Sequence, residues 1–210
     1  MTSGMMKINK IIIILLWPAI AILFSSVAVA DNKQLEDILD RLSSAQKISA
    51  TFTEIRTYSL LSDKIKLSGQ LEYIAPDTLI KKTTQPEAEY LKVTGDTLTI
   101  KKIEGEEQQL LLSNYPLIEI FVEAYRGVLS GNLRKLEKYY DIELVDALSS
   151  GQQENKLKWV IKLTPTDEEA LEYIQTIIVD GVGETINKVT TLESGGDKTV
   201  LIIKNPVTKK

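Results

Sequence analysis

The chain has 210 residues, 25 of them basic and 29 acidic, a net charge of −4, and neither His nor Cys. That length suits a single domain with one sizeable core, and the acidic balance argues against nucleic acid as a partner. Without His or Cys there is no disulfide framework, no Ser-His-Asp or Cys-His nucleophile and no zinc site built on those ligands, so catalysis would fall to carboxylates alone.

The first segment reads as a secretory signal. Lys7 and Lys10 precede an apolar run from Ile11 to Phe24, and "SSVAVA" puts Ala28 and Ala30 at the small-residue positions of a cleavage site. Cleavage is expected after Ala30, making residues 1–30 a leader and residues 31–210 one exported, soluble domain with no Cys for lipid attachment. An uncleaved anchor fits less well: the run falls short of the roughly twenty residues that span a bilayer, and Pro18 interrupts it.

"DNKQLEDILDRLSSAQ" places Leu35, Ile38, Leu39 and Leu42 at helical spacing with charged residues opposite, a short amphipathic helix that Asp31 or Asn32 can cap. The period then changes to two. "ISATFTEIRTY" carries Ile48, Ala50 and Phe52 on one face, and "LSGQLEYIAP" carries Leu67, Gly69, Leu71 and Tyr73 against Gln70 and Glu72, ending at Pro76. "DTLIKKTTQP", "EYLKVTGD", "TLTIKKI" and "QQLLLSN" continue as short strands divided by turns at Gly95-Asp96 and Gly105, an antiparallel meander.

"YPLIEIFVEAYRGVLSGN" interrupts it. Pro116 suits a helix start and Gly131 a helix end, with Leu117, Ile120, Phe121, Ala124, Tyr125 and Val128 in an apolar stripe and Glu119, Glu123 and Arg126 off it. The strands resume with "YYDIELVDA" and "NKLKWVIKLTP", where Leu157, Trp159, Ile161 and Leu163 share a side. "EYIQTIIVD", "INKVTTLES" and "KTVLIIKNP" complete them.

Roughly ten strands against two helices make a wide, curved sheet lined mostly by Leu, Ile and Val. Such a sheet leaves a void unless a helix plugs it or a ligand enters. The expected wall is Ile48, Ala50, Phe52, Leu71, Tyr73, Leu98, Ile100, Trp159 and Ile161, and the expected lid Leu117, Ile120, Phe121, Ala124 and Val128. At each position ordinary packing of sheet against helix remains open. The acids, including Glu119 with Glu123 and the "EGEEQQ" run, read as outward or turn residues on solvated surface.

The ordered set of segments resembles the LolA-type carriers of outer-membrane lipoproteins. "LSSAQKISATFTEI" is similar to the family's first helix running into its first strand, "GQLEYIAPDTLIKKTTQP" to its block around a conserved-type "R-P" pair, and "YLKVTGDTLTI" to a later strand pair. The "LTP" at Leu163 to Pro165 and the last two strands also fall in place, so the resemblance runs from about Leu35 to Ile203. It implies a mainly β fold, a half-open antiparallel β-barrel with helices across the mouth, a periplasmic location, no catalysis and no cofactor. It further implies a monomer that carries acyl chains of lipoproteins from inner to outer membrane. Its partners would be an inner-membrane ABC-type lipoprotein-releasing complex that loads it and an outer-membrane acceptor that unloads it.

The chain departs from the family pattern at three places. Ala75 stands where the family has the arginine that ties lid to barrel, so the lid is expected to be less firmly closed and to hold cargo more tightly. Leu79 and Lys81 replace aromatics, and the chain stops at Lys210 where many members have a further strand and loop. These departures leave open a paralogue carrying another acylated lipid, or a lipid-sensing regulatory module. From a different class, an exported hydrolase would need two acidic side chains converging in the cavity.

Overall fold

A computed structural model describes residues 26–61, 63–102, 105–149 and 157–210. The expected leader lies outside these residues as far as position 25. Helix α1 (Ser26–Ser43) leads into strands β1 (Lys47–Thr57), β2 (Lys64–Ile74), β3 (Thr78–Gln85), β4 (Glu89–Thr94), β5 (Thr97–Lys102) and β6 (Gln108–Leu111). A 3-10 turn (Leu112–Asn114), α2 (Pro116–Leu129) and α3 (Leu133–Glu137) follow. Then come β7 (Tyr140–Ser149), β8 (Leu157–Pro165), α4 (Glu168–Leu171), β9 (Ile174–Val182), β10 (Thr185–Glu193) and β11 (Lys198–Lys209). None of the described helices is long and apolar enough to cross a bilayer.

Among the described residues, eleven strands form one antiparallel sheet in the order β6-β5-β4-β3-β2-β1-β11-β10-β9-β8-β7. The expected meanders are both present, with eleven strands where about ten were expected. Two short helices, α3 and α4, join the two foreseen. Asp31 and Asn32 do not cap α1 in this chain, because the helix begins at Ser26 and its backbone runs through both.

Register turns the apolar rows inward. Phe52 pairs with Gly69 on one side and Ile203 on the other, while Ile161 pairs with Val179 and Val179 with Val189. Helices α1 and α2 press into this concave face: Leu35, Ile38, Leu39 and Leu42 meet Ile120, Ala124 and Val128, and both sets meet Trp159, Ile161 and Leu163. Closure depends on glycine at two points. A Cβ on Gly181 would lie 2.0 Å from Cζ2 of Trp159, so only Gly admits that ring beneath β9. Gly131 ends α2 at φ +63°, and a Cβ there would meet the Leu39 carbonyl oxygen at 2.4 Å, which sets how closely α2 approaches α1.

Candidate functional site

The sheet's order decides where the lid lies. β6 and β7 are its two free edges, and the chain crosses from one to the other through the 3-10 turn, α2 and α3. The crossing therefore spans the open side of the half-barrel. Asp96 fastens its beginning, accepting from the Ser113 amide at 3.0 Å and the Ser113 hydroxyl at 2.8 Å. Its end is fastened by Tyr140, whose hydroxyl donates to the Ile120 carbonyl at 2.7 Å, and Tyr139, whose hydroxyl donates to Glu119 at 2.9 Å. Burial first, then the Glu119 carboxylate, pushes the Tyr139 hydroxyl up to about 12.

Six of the nine expected wall residues fall into two clusters joined by α2. Phe52, Trp159 and Ile161 lie in the larger, with Leu71 packed against it and Leu117, Ile120, Phe121, Ala124 and Val128 as its helical side. Leu98 belongs to a smaller cluster with Val93, Leu112 and Val122, against which Ile100 packs. Ile48, Ala50 and Tyr73 sit on the same inward face but in neither cluster. Val122 was not expected in the stripe. It faces the small cluster because α2 is wedged between two apolar surfaces rather than laid on one. An open depression of about 360 Å³ is lined by two of the expected wall residues, Ala50 and Leu71, together with Thr51, Gln70, Ile80 and Lys82 among others.

Two expectations about charge are overturned. Glu123 and Arg126 are not on the solvated side of α2: they are 5% and 4% exposed. Nε of Arg126 donates to the Asp77 carbonyl at 2.7 Å and Nη2 to the Gly95 carbonyl at 2.8 Å, while Nη1 meets Glu123 at 3.1 Å. The Lys135 ammonium stands 2.7 Å from the other oxygen of Glu123. Asp77 and Gly95 belong to the β2–β3 and β4–β5 turns, which are themselves linked where the Gly95 amide donates to the Asp77 carboxylate at 3.1 Å. One guanidinium thus clamps the lid to two hairpin turns at once. Ala75 indeed offers no arginine, but the loose lid expected from it does not follow, because the helix supplies the guanidinium and the barrel the carbonyls.

The second correction is Glu54, an inward acid where acids were expected mainly at outward or turn positions. It is 4% exposed on β1 beside Phe52, its Oε1 2.6 Å from Nε of Arg56 and its Oε2 paired with the Lys81 ammonium. Burial alone would raise its carboxyl, but Lys81 and then Arg56 outweigh burial and hold it below the usual range. Each buried acid, Glu54 and Glu123, is neutralised by its own two cations. Among the described residues no cluster of three or more acidic side chains could hold a metal ion.

The sequence model of the family described as outer membrane lipoprotein carrier protein LolA-like matches residues 27–205. Among solved structures, the chain is similar to a putative outer membrane lipoprotein-sorting protein domain from Vibrio parahaemolyticus, at 11% identity over 84% of this chain and 92% of that one, with a TM-score of 0.46. It is also similar to the MucA/MucB complex of Pseudomonas aeruginosa (12% identity, 84% and 58% covered, TM-score 0.45). A LolA superfamily protein from Nitrosomonas europaea is similar too (11% identity, 84% and 94% covered, TM-score 0.43). No curated protein sequence matches significantly.

Proposed function

The chain belongs to the outer membrane lipoprotein carrier protein LolA-like family, and from that premise we propose that it is a periplasmic carrier that takes acyl chains between its concave sheet and α2. The observation that carries this reading is the contrast within the lid. Its body is apolar on both sides, yet a few polar contacts around Arg126 hold it to the barrel. An apolar body can be exchanged for cargo of the same nature, and a polar clamp can be broken without unfolding the sheet.

The energetics favour that division of labour. Burying an acyl chain is worth about 0.8 kcal/mol per methylene relative to water, but a membrane offers nearly the same. Loading and release must therefore be almost neutral, with lid closure deciding the direction. In the closed state, Phe121 and its neighbours occupy the ground that cargo would take. The reading is non-catalytic, since both buried acids are engaged by cations rather than by each other. Cargo would pass from an inner-membrane ABC-type complex to an outer-membrane acceptor; the family description, a carrier of outer-membrane lipoproteins, is compatible with that route and names neither partner.

Two measurements test this. Lipid extracted from natively purified protein and identified by mass spectrometry should show bound acyl chains. Phe121→Asp should abolish uptake of a fluorescent fatty acid while the sheet stays folded by circular dichroism, because the charge falls where acyl chains must go. Global unfolding by this substitution would make α2 permanent core and end the lid reading.

A further inference from the structure

The Glu54 triad lies apart from the Arg126 contacts, close enough to Tyr125 of α2 for its charge to raise that hydroxyl after burial has done so, and it interrupts an otherwise apolar wall. Along the same tier of the sheet, Leu201, Val189, Val179 and Ile161 succeed one another across β11 to β8. Glu54, paired with Leu201, breaks the series on β1. Burying an ion pair gains little stability over apolar residues of the same size, so stability does not explain it. Two features point to a ligand. First, two cations serve one carboxylate, and their side chains keep 22% exposure at Lys81 and 40% at Arg56, so donors not spent on Glu54 remain accessible. Second, Thr83 lies two residues beyond Lys81 on the same face of β3. It is buried, and its hydroxyl has no hydrogen-bond partner among the described residues. The Lys81 ammonium also stands 5.1 Å from the centroid of the Phe52 ring, which ties this polar corner to the apolar cluster.

We propose that Lys81 and Arg56, with the Thr83 hydroxyl, form a head-group subsite at the rim of the acyl groove, so that the cargo is an amphiphile with an acidic head, carboxylate or phosphate. Glu54 is the internal counter-ion: it holds both cations in position in the empty protein and shares them with the incoming anion. The inference rests on the acyl-carrier reading and narrows it, since a neutral acylated head would leave the cations with nothing to recognise.

The test titrates three ligands of equal chain length, palmitate, palmitoyl-lysophosphatidate and monopalmitoylglycerol, against the mature protein. Lys81→Met should weaken both acidic ligands by about tenfold and leave the neutral one within about twofold. Glu54→Gln should tighten the acidic ligands, because it frees both cations, and Lys81→Arg should keep wild-type affinity. The double variant Glu54→Gln with Lys81→Met leaves only the part-exposed Arg56 without its carboxylate, and its binding of monopalmitoylglycerol reports that the groove is intact. Tighter binding of one acidic ligand than the other by the wild type identifies the head as phosphate ester or carboxylate. Equal loss for acidic and neutral ligands, or no loss for either, overturns the subsite while the carrier reading stands. Failure of all three ligands to bind the wild type overturns the carrier reading itself.

Discussion

Replacing Arg126 by Met should release the lid without unfolding the barrel. The substitution keeps an unbranched aliphatic stem of similar reach and removes the donors at 2.7 Å from the Asp77 carbonyl and 2.8 Å from the Gly95 carbonyl. Hydrogen bonds from a charged donor are worth about 1.5–3 kcal/mol each. The lower value applies here, because both turn carbonyls can take up water once the helix lifts, and the pair then contributes about 3 kcal/mol. At about 1.4 kcal/mol per tenfold, the open fraction rises by roughly 100-fold. Glu123 keeps Lys135 at 2.7 Å, so no buried acid is left without a cation. Amide hydrogen exchange read separately for α2 and for β8 and β9 measures the effect. Protection should fall across Pro116–Leu129 and hold in the strands. Unchanged exchange in α2 would refute the clamp, and an equal loss in the strands would show that lid and sheet open only as one unit.

Three further outcomes are expected. Ala75→Arg should restore part of the α2 protection lost in the Arg126→Met protein and weaken acyl affinity with it, since energy favouring the closed empty state must be overcome by cargo; absence of recovery would mean that a guanidinium at that turn does not reach the lid. Trp159 is 1% exposed and its indole donates to the Gly183 carbonyl at 2.9 Å, so acyl binding should change its emission intensity more than its wavelength; silence during independently measured binding would place the ring outside the site. Glu54 has a folded pKa lowered from 4.5, so its contribution is complete above that value and is lost as pH falls through the folded pKa. Acid titration by circular dichroism should therefore show the stability advantage of wild type over Glu54→Gln shrinking below about pH 4.5, and an advantage independent of pH would contradict the pairing.

The alternation in "LSGQLEYIAP" was enough to turn Leu67, Gly69, Leu71 and Tyr73 inward, and that in "NKLKWVIKLTP" to bury Trp159 and Ile161. Period two is a local property, and a half-buried strand displays it without help from its neighbours. The polar interior was not legible for the opposite reason. Glu54 meets Lys81 from 27 positions away and Arg126 meets Asp77 from 49, so no local pattern marks either pair. Arg126 also follows the wrong side of the helical wheel only if α2 is imagined on a single apolar surface. α3 and α4, at 5 and 4 residues, are too short for a helical period to repeat.

The strand order carries a consequence for the making of the molecule. Every neighbouring pair in the sheet is consecutive along the chain except one, β1 with β11. Hairpins can assemble each half promptly, but the seam between the halves joins distant residues such as Thr51 and Lys204, 153 positions apart, where the Thr51 hydroxyl donates to the Lys204 carbonyl at 3.2 Å. Loop closure over that distance is the slow step in a fold of this kind. Of the eleven strands, the first to leave the ribosome waits for the last. Until β11 arrives, β1 has an unpaired edge with Phe52 beside it, the sort of surface on which nascent chains associate wrongly. Substitutions in β11 should thus tell more on yield and folding rate than equally buried ones in β8 and β9, whose partners are adjacent in sequence.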